Sequence, residues 1–221
     1  IPDTATYIPE CPDPENTVLT RFAGRLLIIQ MELALRKNQE DVINDLYAKI
    51  MKLKNVQWNS RQLAVLRYVE GRNFIKKRDF HRAKSAFAES FSKFNETGYD
   101  KRTEVLAYWV LTVMLVHDET DIFQSSDTFQ FRLHSNVAPL YQLHECYIKN
   151  DIIGFKAKRG EAKKIFHSEL YDGFLKEIEV YVLKNSLVKF CANYTRIQLA
   201  YLAYRCLSDE ERANYDKLGK E

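Results

Sequence analysis

The residue types that most often bind metal ions or act as nucleophiles are present in this sequence, but their spacing supports neither role. The five histidines do not form the H-x-H or H-E-x-x-H spacings that direct two imidazoles at one metal ion: His81, His117, His134, His144 and His167. The four cysteines have no C-x-x-C spacing, which favours reduced thiols over a disulfide framework: Cys11, Cys146, Cys191 and Cys206. Cys191 and Cys206 are expected to pack as small apolar side chains.

One short segment places three ligand-type side chains next to each other. His144, Glu145 and Cys146 are consecutive, and consecutive residues of a helix point in different directions, so we do not expect them to bind one metal ion. The sequence also lacks the G-x-x-x-x-G-K-[ST] and G-x-G-x-x-G phosphate-binding loops and the G-x-S-x-G nucleophile elbow. We therefore predict no catalytic residue, no metal site, no cofactor and no enzymatic activity.

Positive charge is concentrated in one basic cluster, which consists of Lys156, Lys158, Arg159, Lys163 and Lys164. Such a run is typical of a solvated helix end and turn. The alternative is a docking patch for an acidic partner, toward which local positive potential would steer that partner. The formal net charge of the whole chain is only +3, so its overall field favours neither nucleic acid nor an acidic membrane.

A helix-turn-helix that contacts DNA is a second possible binding element, over residues 194–218. Its candidate second helix opens with Asp209, Glu210 and Glu211, and these carboxylates would face the phosphates of the nucleic acid. We therefore do not expect nucleic-acid recognition.

The composition predicts that helices position these residues. Seven glycines and five prolines are few for 221 residues, and a β-rich domain needs both residue types at its turns. A hydrophobic content of 46% excludes a disordered chain. The longest nearly apolar stretch, over residues 105–116, is shorter than the roughly 20 residues of a membrane span. The expected fold class is all-α.

Apolar spacing predicts a helical hairpin after an extended, Pro-rich lead-in over residues 1–16. A first helix starts near Thr17 and should bury the face shared by Phe22, Leu26, Ile29 and Leu33. A second helix, reached through a very short turn, should bury the face shared by Val42, Leu46, Ile50 and Leu53. The short turn favours antiparallel packing of the two helices.

A second hairpin follows, with Ser60 and Asp79 as the expected N-caps of its helices. Its spacing resembles the tetratricopeptide repeat, in which small residues let paired helices approach and aromatic residues fill the groove: Gly71, Phe74, Ala83 and Phe87. An ordinary helical bundle with a glycine at a crossing is the alternative. Further helices are predicted over residues 100–116, 137–149, 151–158, 170–190 with an interruption near Gly173, 197–206 and 209–218.

Several co-linear motifs carry a family resemblance. They are F-A-E-S-F-S-K-F-N-E-T-G from Phe87, K-R-T from Lys101, L-A-Y-W-V-L-T-V-M-L from Leu106, D-I-F-Q-S-S-D from Asp121, Y-I-K-N-D-I-I-G-F from Tyr147 and N-Y-T-R-I from Asn193. In order and spacing they resemble the PCI-domain scaffold subunits, in particular subunit two of the constitutive photomorphogenesis (COP) signalosome. A paralogous subunit of the proteasome regulatory-particle lid shares the central run. The last motif resembles the turn into the winged-helix half of the PCI domain, with Tyr194, Thr195, Arg196 and Ile197 as its residues.

The resemblance implies a non-catalytic scaffold in the cytoplasm and nucleus. It would assemble with other signalosome subunits, contact cullin-RING ligases and support cullin deneddylation and ubiquitin-ligase regulation. A proteasome-lid scaffold, or a PCI helical-repeat protein associated with nucleic acid in mRNA export or translation initiation, is the alternative. Membrane association is not expected.

The resemblance also implies how the chain is divided. A tetratricopeptide-like segment over residues 17–116 would lead into the helical part of the PCI domain over residues 117–193. Residues 194–221 would form an incomplete winged-helix segment, truncated or diverged, because only Gly219 could serve a tight hairpin there.

Overall fold

Helices and the turns between them account for the part of the chain that the structure describes. This computed structural model describes residues 17–53, 56–166, 169–192, 194, 196–207 and 212, and no strand occurs among them. The predicted all-α class is therefore confirmed. Contacts divide the chain into two compact units, residues 1–105 and 106–221, whereas the predicted domain limits stay predictions. The lead-in over residues 1–16 and, apart from Arg212, the helix predicted over 209–218 lie outside the described residues.

Two helical hairpins form the first unit. The helices are α1 (Thr17–Arg36), α2 (Glu40–Lys52), α3 (Ser60–Lys76) and α4 (Phe80–Glu96). As predicted, α1 packs on α2 and α3 packs on α4, and α1 and α2 also contact α3. The fifth helix, α5 (Arg102–Leu115), spans the boundary of the units and buries every residue from Val105 to Leu115 except Trp109.

After α5, the second unit continues with irregular chain that contains a 3₁₀ turn (Ile122–Gln124) and the short helix α6 (Ser126–Phe129). Its longer helices are α7 (Ala138–Lys149), α8 (Ile152–Phe166) and α9 (Glu169–Cys191), followed by α10 (Leu199–Arg205). α7 packs on α8, and α8 packs on α9. No helix among the described residues is long and apolar enough to cross a membrane.

Five helices end in the same way, which explains how turns so poor in glycine are built. α1, α3, α4, α5 and α7 are each followed by one residue in the left-handed region: Asn38, Arg78, Gly98, His117 and Asn150, with φ between 52° and 65°. In each case the next residue donates its N–H to the carbonyl five positions back, at 2.9–3.1 Å. This is the Schellman motif, which glycine and asparagine enter at little cost and Arg78 and His117 only under strain.

The caps of the second hairpin were predicted in part. Asp79 caps α4, because its Oδ1 accepts a hydrogen bond from the N–H of Arg82 at 3.3 Å. Ser60 was the wrong residue for α3. Asn59 is the N-cap, since its Oδ1 accepts from the N–H of Gln62 at 2.8 Å while Gln62 Oε1 accepts from the N–H of Asn59 at 3.1 Å. The reciprocal pair is a capping box, which satisfies two otherwise unpaired donors.

Two predicted limits in the second unit were wrong. α8 runs on to Phe166 instead of ending near Lys158, because Ala162 and Phe166 continue the buried face begun by Ile152 and Phe155. α9 is continuous through Gly173, which lies on its exposed side. A glycine on an exposed helix face lowers helix propensity but does not by itself end the helix.

The buried face of α1 is the reverse of the predicted one. Phe22 is 62% exposed, and Leu26, Ile29 and Leu33 lie between 43% and 54%. The buried side is formed instead by Leu27, Ile28, Met31, Ala34 and Leu35. Val42 of α2 is also exposed, and the buried residues of that helix are Ile43, Leu46 and Ile50. Both sides of α1 are apolar at helical spacing, so periodicity alone could not choose between them.

Candidate functional site

The repeat residues meet at the crossing of α3 and α4. A Cβ placed on Gly71 would lie 2.6 Å from Cε1 of Phe87, so only glycine lets the two helices approach this closely. Ala83 and Phe87 are fully buried, whereas Phe74 is half-buried at the edge of the crossing. The fully buried Ser90 donates a hydrogen bond to the carbonyl of Ala64 at 2.7 Å, which ties α4 to α3.

An open groove of about 350 Å³ lies beside this crossing, and three of its charged side chains form one ion-pair network. Arg67 forms ion pairs with Glu70 at 2.6 Å and with Glu89 at 2.8 Å. The hydroxyl of Tyr47 donates to Glu70 Oε1 at 2.9 Å. Burial and this contact with Glu70 raise the pKa of Tyr47, so the phenol stays protonated as a donor. The network joins α2, α3 and α4.

The basic cluster lies on α8, where several of its cations contact acceptors of the same unit. Arg159 is paired with Glu179 of α9, and Lys163 Nζ lies 3.4 Å from Oδ2 of Asp172, also on α9. Lys164 Nζ lies 2.7 Å from Oε1 of Glu161 on α8 itself. Lys156 donates to the carbonyl of Cys206 at 3.3 Å, and Lys158 lies close enough to the thiol of Cys146 to act on its pKa.

These contacts lower the positive potential that five clustered cations would otherwise produce. Asp172 lies between the amines of Lys176, at 3.2 Å, and Lys163. Hydrogen bonds from Lys176 and then Lys163 hold the pKa of Asp172 below its ordinary value, so the carboxylate remains charged opposite the cluster. The sequence could not show this pairing, because the carboxylates on α9 are separated from the cluster along the chain.

The turn that resembles the PCI motif links α9 to α10. The ring of Tyr194 packs on Phe190 with their centroids 5.1 Å apart, and it is half exposed. Arg196 is exposed, Ile197 is half-buried, and Thr195 lies outside the described residues. The Phe190 ring also contacts the ring of Tyr201 at 6.0 Å, so it anchors α10 to the end of α9.

Beside α10 lies a cavity of about 250 Å³. Its walls come from the start of α8, the end of α9 and α10, including Ile152, Leu187 and Leu202. Cys206 also lines it, and burial raises the pKa of this thiol, which keeps the sulfur neutral. A neutral, partly buried thiol packs as a small apolar group and is a poor nucleophile.

The two histidines of the second unit with perturbed pKa values are held by aromatic contacts. His144 is fully buried, and its Nδ1 lies 3.9 Å from Oδ1 of Asp121, too far for a hydrogen bond. Burial lowers the pKa of His144 despite this neighbouring carboxylate. His117 stacks on Tyr181 with centroids 3.8 Å apart, and burial lowers its pKa as well. Both imidazoles are therefore kept neutral.

The ion pairs, hydrogen bonds and aromatic contacts described above hold helices against one another. The part of the chain that the structure describes contains no group of three or more histidine, cysteine, aspartate or glutamate side chains placed to hold a metal ion. His144 and Cys146 are buried within α7, while Glu145 turns to Lys149, at 3.6 Å.

Sequence reasoning missed one surface, the outer stripe of α1, which consists of Val18, Phe22, Leu26, Ile29 and Leu33. All five side chains are at least 43% exposed. The signal was present in the sequence, because α1 carries a second apolar set on its opposite side. A helix that is apolar on two opposite sides can bury only one of them in a single hairpin.

Comparison with known proteins gives a consistent result, although no protein-family model matches the chain. The chain is 25% identical over 178 residues to "COP9 signalosome complex subunit 2" of Dictyostelium discoideum, covering 80% of this chain and 39% of that protein. It is 26% identical over 199 residues to the protein of the same name from Drosophila melanogaster, covering 83% and 44%. The Schizosaccharomyces pombe protein of that name is 25% identical over 199 residues, covering 86% and 45%.

The chain thus spans about two fifths of the length of these curated relatives. The aligned part nevertheless takes in most of the chain, between 80% and 86% of it. The resemblance found in the motifs is therefore confirmed: over about four fifths of its length, the chain is similar to COP9 signalosome complex subunit 2 proteins from widely separated eukaryotes.

Proposed function

We propose that this chain is a non-catalytic scaffold segment of a COP9 signalosome subunit. In this role it assembles with other signalosome subunits and supports cullin deneddylation and the regulation of cullin-RING ubiquitin ligases, in the cytoplasm and nucleus. The observation that carries the proposal is the similarity to subunit 2 over about four fifths of the chain. Stacked helical hairpins support the same role, because they offer extended surfaces to neighbouring subunits.

Affinity purification of the tagged, natively expressed protein under non-denaturing conditions tests the assembly. We expect other signalosome subunits to co-purify in stoichiometric amounts, as identified by mass spectrometry. Recovery of proteasome-lid subunits in their place would favour the lid scaffold instead. A tight complex with RNA or DNA in an electrophoretic shift assay at moderate salt, without signalosome subunits, would favour the nucleic-acid alternative.

The supporting role in deneddylation has its own readout. Depletion of the protein should raise the fraction of cullin that carries the ubiquitin-like modifier, measured by immunoblotting, and re-expression should restore it. An unchanged fraction, in cells where the protein does co-purify with the signalosome, would contradict this part of the proposal alone. Fluorescence microscopy of the tagged protein tests the expected distribution between cytoplasm and nucleus.

The basic cluster is a second part of the proposal, as a docking patch for an acidic partner such as a cullin-RING ligase surface. Lys164 is its best probe, because its side chain is 71% exposed and it forms an ion pair with Glu161, a neighbour on the same helix. Arg159→Glu would instead place a carboxylate beside Glu179 and disturb the packing of α8 on α9. Lys164→Glu should weaken partner capture and flatten its salt dependence, whereas Lys149→Glu on α7, similarly exposed, should not. Equal effects of the two changes would contradict a specific patch.

A further inference from the structure

The outer stripe of α1 forms a continuous apolar surface with the geometry of a helix-binding face. Its five side chains follow one another at steps of four, four, three and four residues. At a rise of 1.5 Å per residue they cover about 22 Å of the helix. The opposite side of α1 is already buried, with Met31 fully covered. Because hydrophobic side chains at this spacing exclude water best against another helix, the stripe fits an amphipathic helix laid along α1.

Charged residues at the edge of the stripe indicate what kind of partner helix it would bind. α1 contains three arginines, Arg21, Arg25 and Arg36, and one acidic residue, Glu32. Arg21 and Arg25 are exposed and one turn apart, and at 100° per residue both lie next to the Val18 and Ile29 side of the stripe. Glu32 is already held by Arg61 at 2.7 Å. The edge is therefore basic, and it complements a helix whose apolar face is flanked by carboxylates.

The same charges disfavour a second copy of this chain as the occupant. In an antiparallel two-fold pair of α1 helices, identical edges lie side by side, so Arg21 and Arg25 would meet the same arginines of the other copy. In a parallel pair the arginine edge would meet the opposite edge, which offers Gln30 and no carboxylate. A membrane surface also fits poorly, because interfacial helices keep their polar side opposite the apolar side. In α1 that opposite side is buried protein core.

We propose that the outer stripe of α1, with Arg21 and Arg25 beside it, is a docking surface for an acidic amphipathic helix of a partner protein. The apolar side chains supply the contact area, and the arginines fix the partner's orientation and accelerate its association. This inference rests on the burial and charge of α1 and does not depend on membership of a signalosome.

Two synthetic probes test the proposal with the full 221-residue chain. Each is a stapled amphipathic helix with leucine and isoleucine at heptad positions a and d, and the two differ only in having glutamate or lysine at positions e and g. We expect the glutamate helix to bind at least about tenfold more tightly than the lysine helix, measured by fluorescence anisotropy. The preference should shrink as salt is raised.

Variants locate the binding on α1. Ile29→Gln should weaken binding of the glutamate helix by about tenfold, whereas Val180→Gln, a matched change at an exposed apolar residue of α9, should leave it unchanged. Arg25→Glu should reverse the preference between the two probes. Because all three positions are exposed, circular dichroism and the melting temperature should be those of the parent, which separates lost binding from lost folding.

Several outcomes would overturn the proposal. They are no binding of the glutamate helix at about 1 mM, equal binding of both probes, or equal effects of the α1 and α9 changes. A dimer in sedimentation velocity that is lost in Ile29→Gln would show that a second copy of this chain, and not a partner helix, covers the stripe. A further outcome is that the protein binds vesicles of phosphatidylserine and phosphatidylcholine and not the helix probes. If Ile29→Gln abolished that vesicle binding, the stripe would be a membrane-binding surface.

Discussion

Replacing Gly71 with alanine tests the close approach of α3 and α4. The new Cβ would lie 2.6 Å from Cε1 and 2.7 Å from Cζ of Phe87, far inside the roughly 3.5–4.0 Å at which carbon atoms pack. Phe87 is fully buried, so its ring cannot swing into solvent. Either the ring leaves its preferred rotamer or the helices separate, and such overpacking costs about 1–3 kcal/mol of unfolding free energy.

A matched control isolates this cost. Alanine is a better helix former than glycine by about 1 kcal/mol, and that gain would partly hide the clash. Gly160 lies inside α8, and a Cβ there would meet nothing within 4 Å, so Gly160→Ala reports the gain alone. Relative to the parent, the change in unfolding free energy should be about 1–3 kcal/mol less favourable for Gly71→Ala than for Gly160→Ala. Urea unfolding, with amide hydrogen exchange in α3 and α8 to assign each change to its unit, measures the difference.

A second substitution checks the mechanism. Phe87→Leu removes the ring atoms that the new Cβ would meet, so it should cost less in the Gly71→Ala background than in the parent. The coupling energy from this double-mutant cycle should be about 0.5–3 kcal/mol. Gly71→Ala that stabilises the protein as much as Gly160→Ala, or a cycle that is additive, would refute the close approach.

Three further predictions concern buried and charged groups. The pKa of His144 is lowered from 6.5, mainly by burial, so the unfolded chain binds more protons just below pH 6.5 and the unfolding free energy should fall there as the pH drops. His144→Phe should flatten that slope between pH 5 and pH 7, and an unchanged slope would contradict the assignment. Arg159→Glu should destabilise the second unit by more than Glu179→Gln does, measured by urea unfolding, because it leaves two carboxylates facing each other. Ser90→Ala should lower the unfolding free energy by about 1 kcal/mol, because it loses a buried hydrogen bond. The hydroxyl of Ser85 donates to an exposed carbonyl of its own helix, so Ser85→Ala should leave the melting temperature almost unchanged.

Part of the candidate surface could be predicted from the sequence because it depends on local chemistry. The pairing of Gly71 with Phe87 followed from a spacing typical of repeats, and the structure brings the two together. The basic cluster could be recognised in the sequence as a run of positive charge, but its pairing with carboxylates of α9 could not. Glu179 and Asp172 reach it only because α9 folds back along α8, and a linear sequence does not contain that neighbour relation.

Local signals in the sequence were enough to predict the fold class and the approximate positions of the longer helices. Scarce glycine and proline, together with apolar residues at steps of three and four, leave few alternatives to helical hairpins, since these signals act within one or two turns of the chain. Helix caps also depend on residues close together in the chain, and the predicted N-cap of α3 was wrong by only one residue, Ser60 in place of Asn59.

Which apolar surfaces are covered depends on how the helices pack together in three dimensions. α1 has two apolar sides, and its periodicity fits burial of either one. The side that holds Met31 is buried because α2 and α3 pack there, while the side that holds Ile29 is left to solvent. The free energy of burial depends on area removed from water and not on sequence position, so the choice belongs to the packing of neighbouring helices.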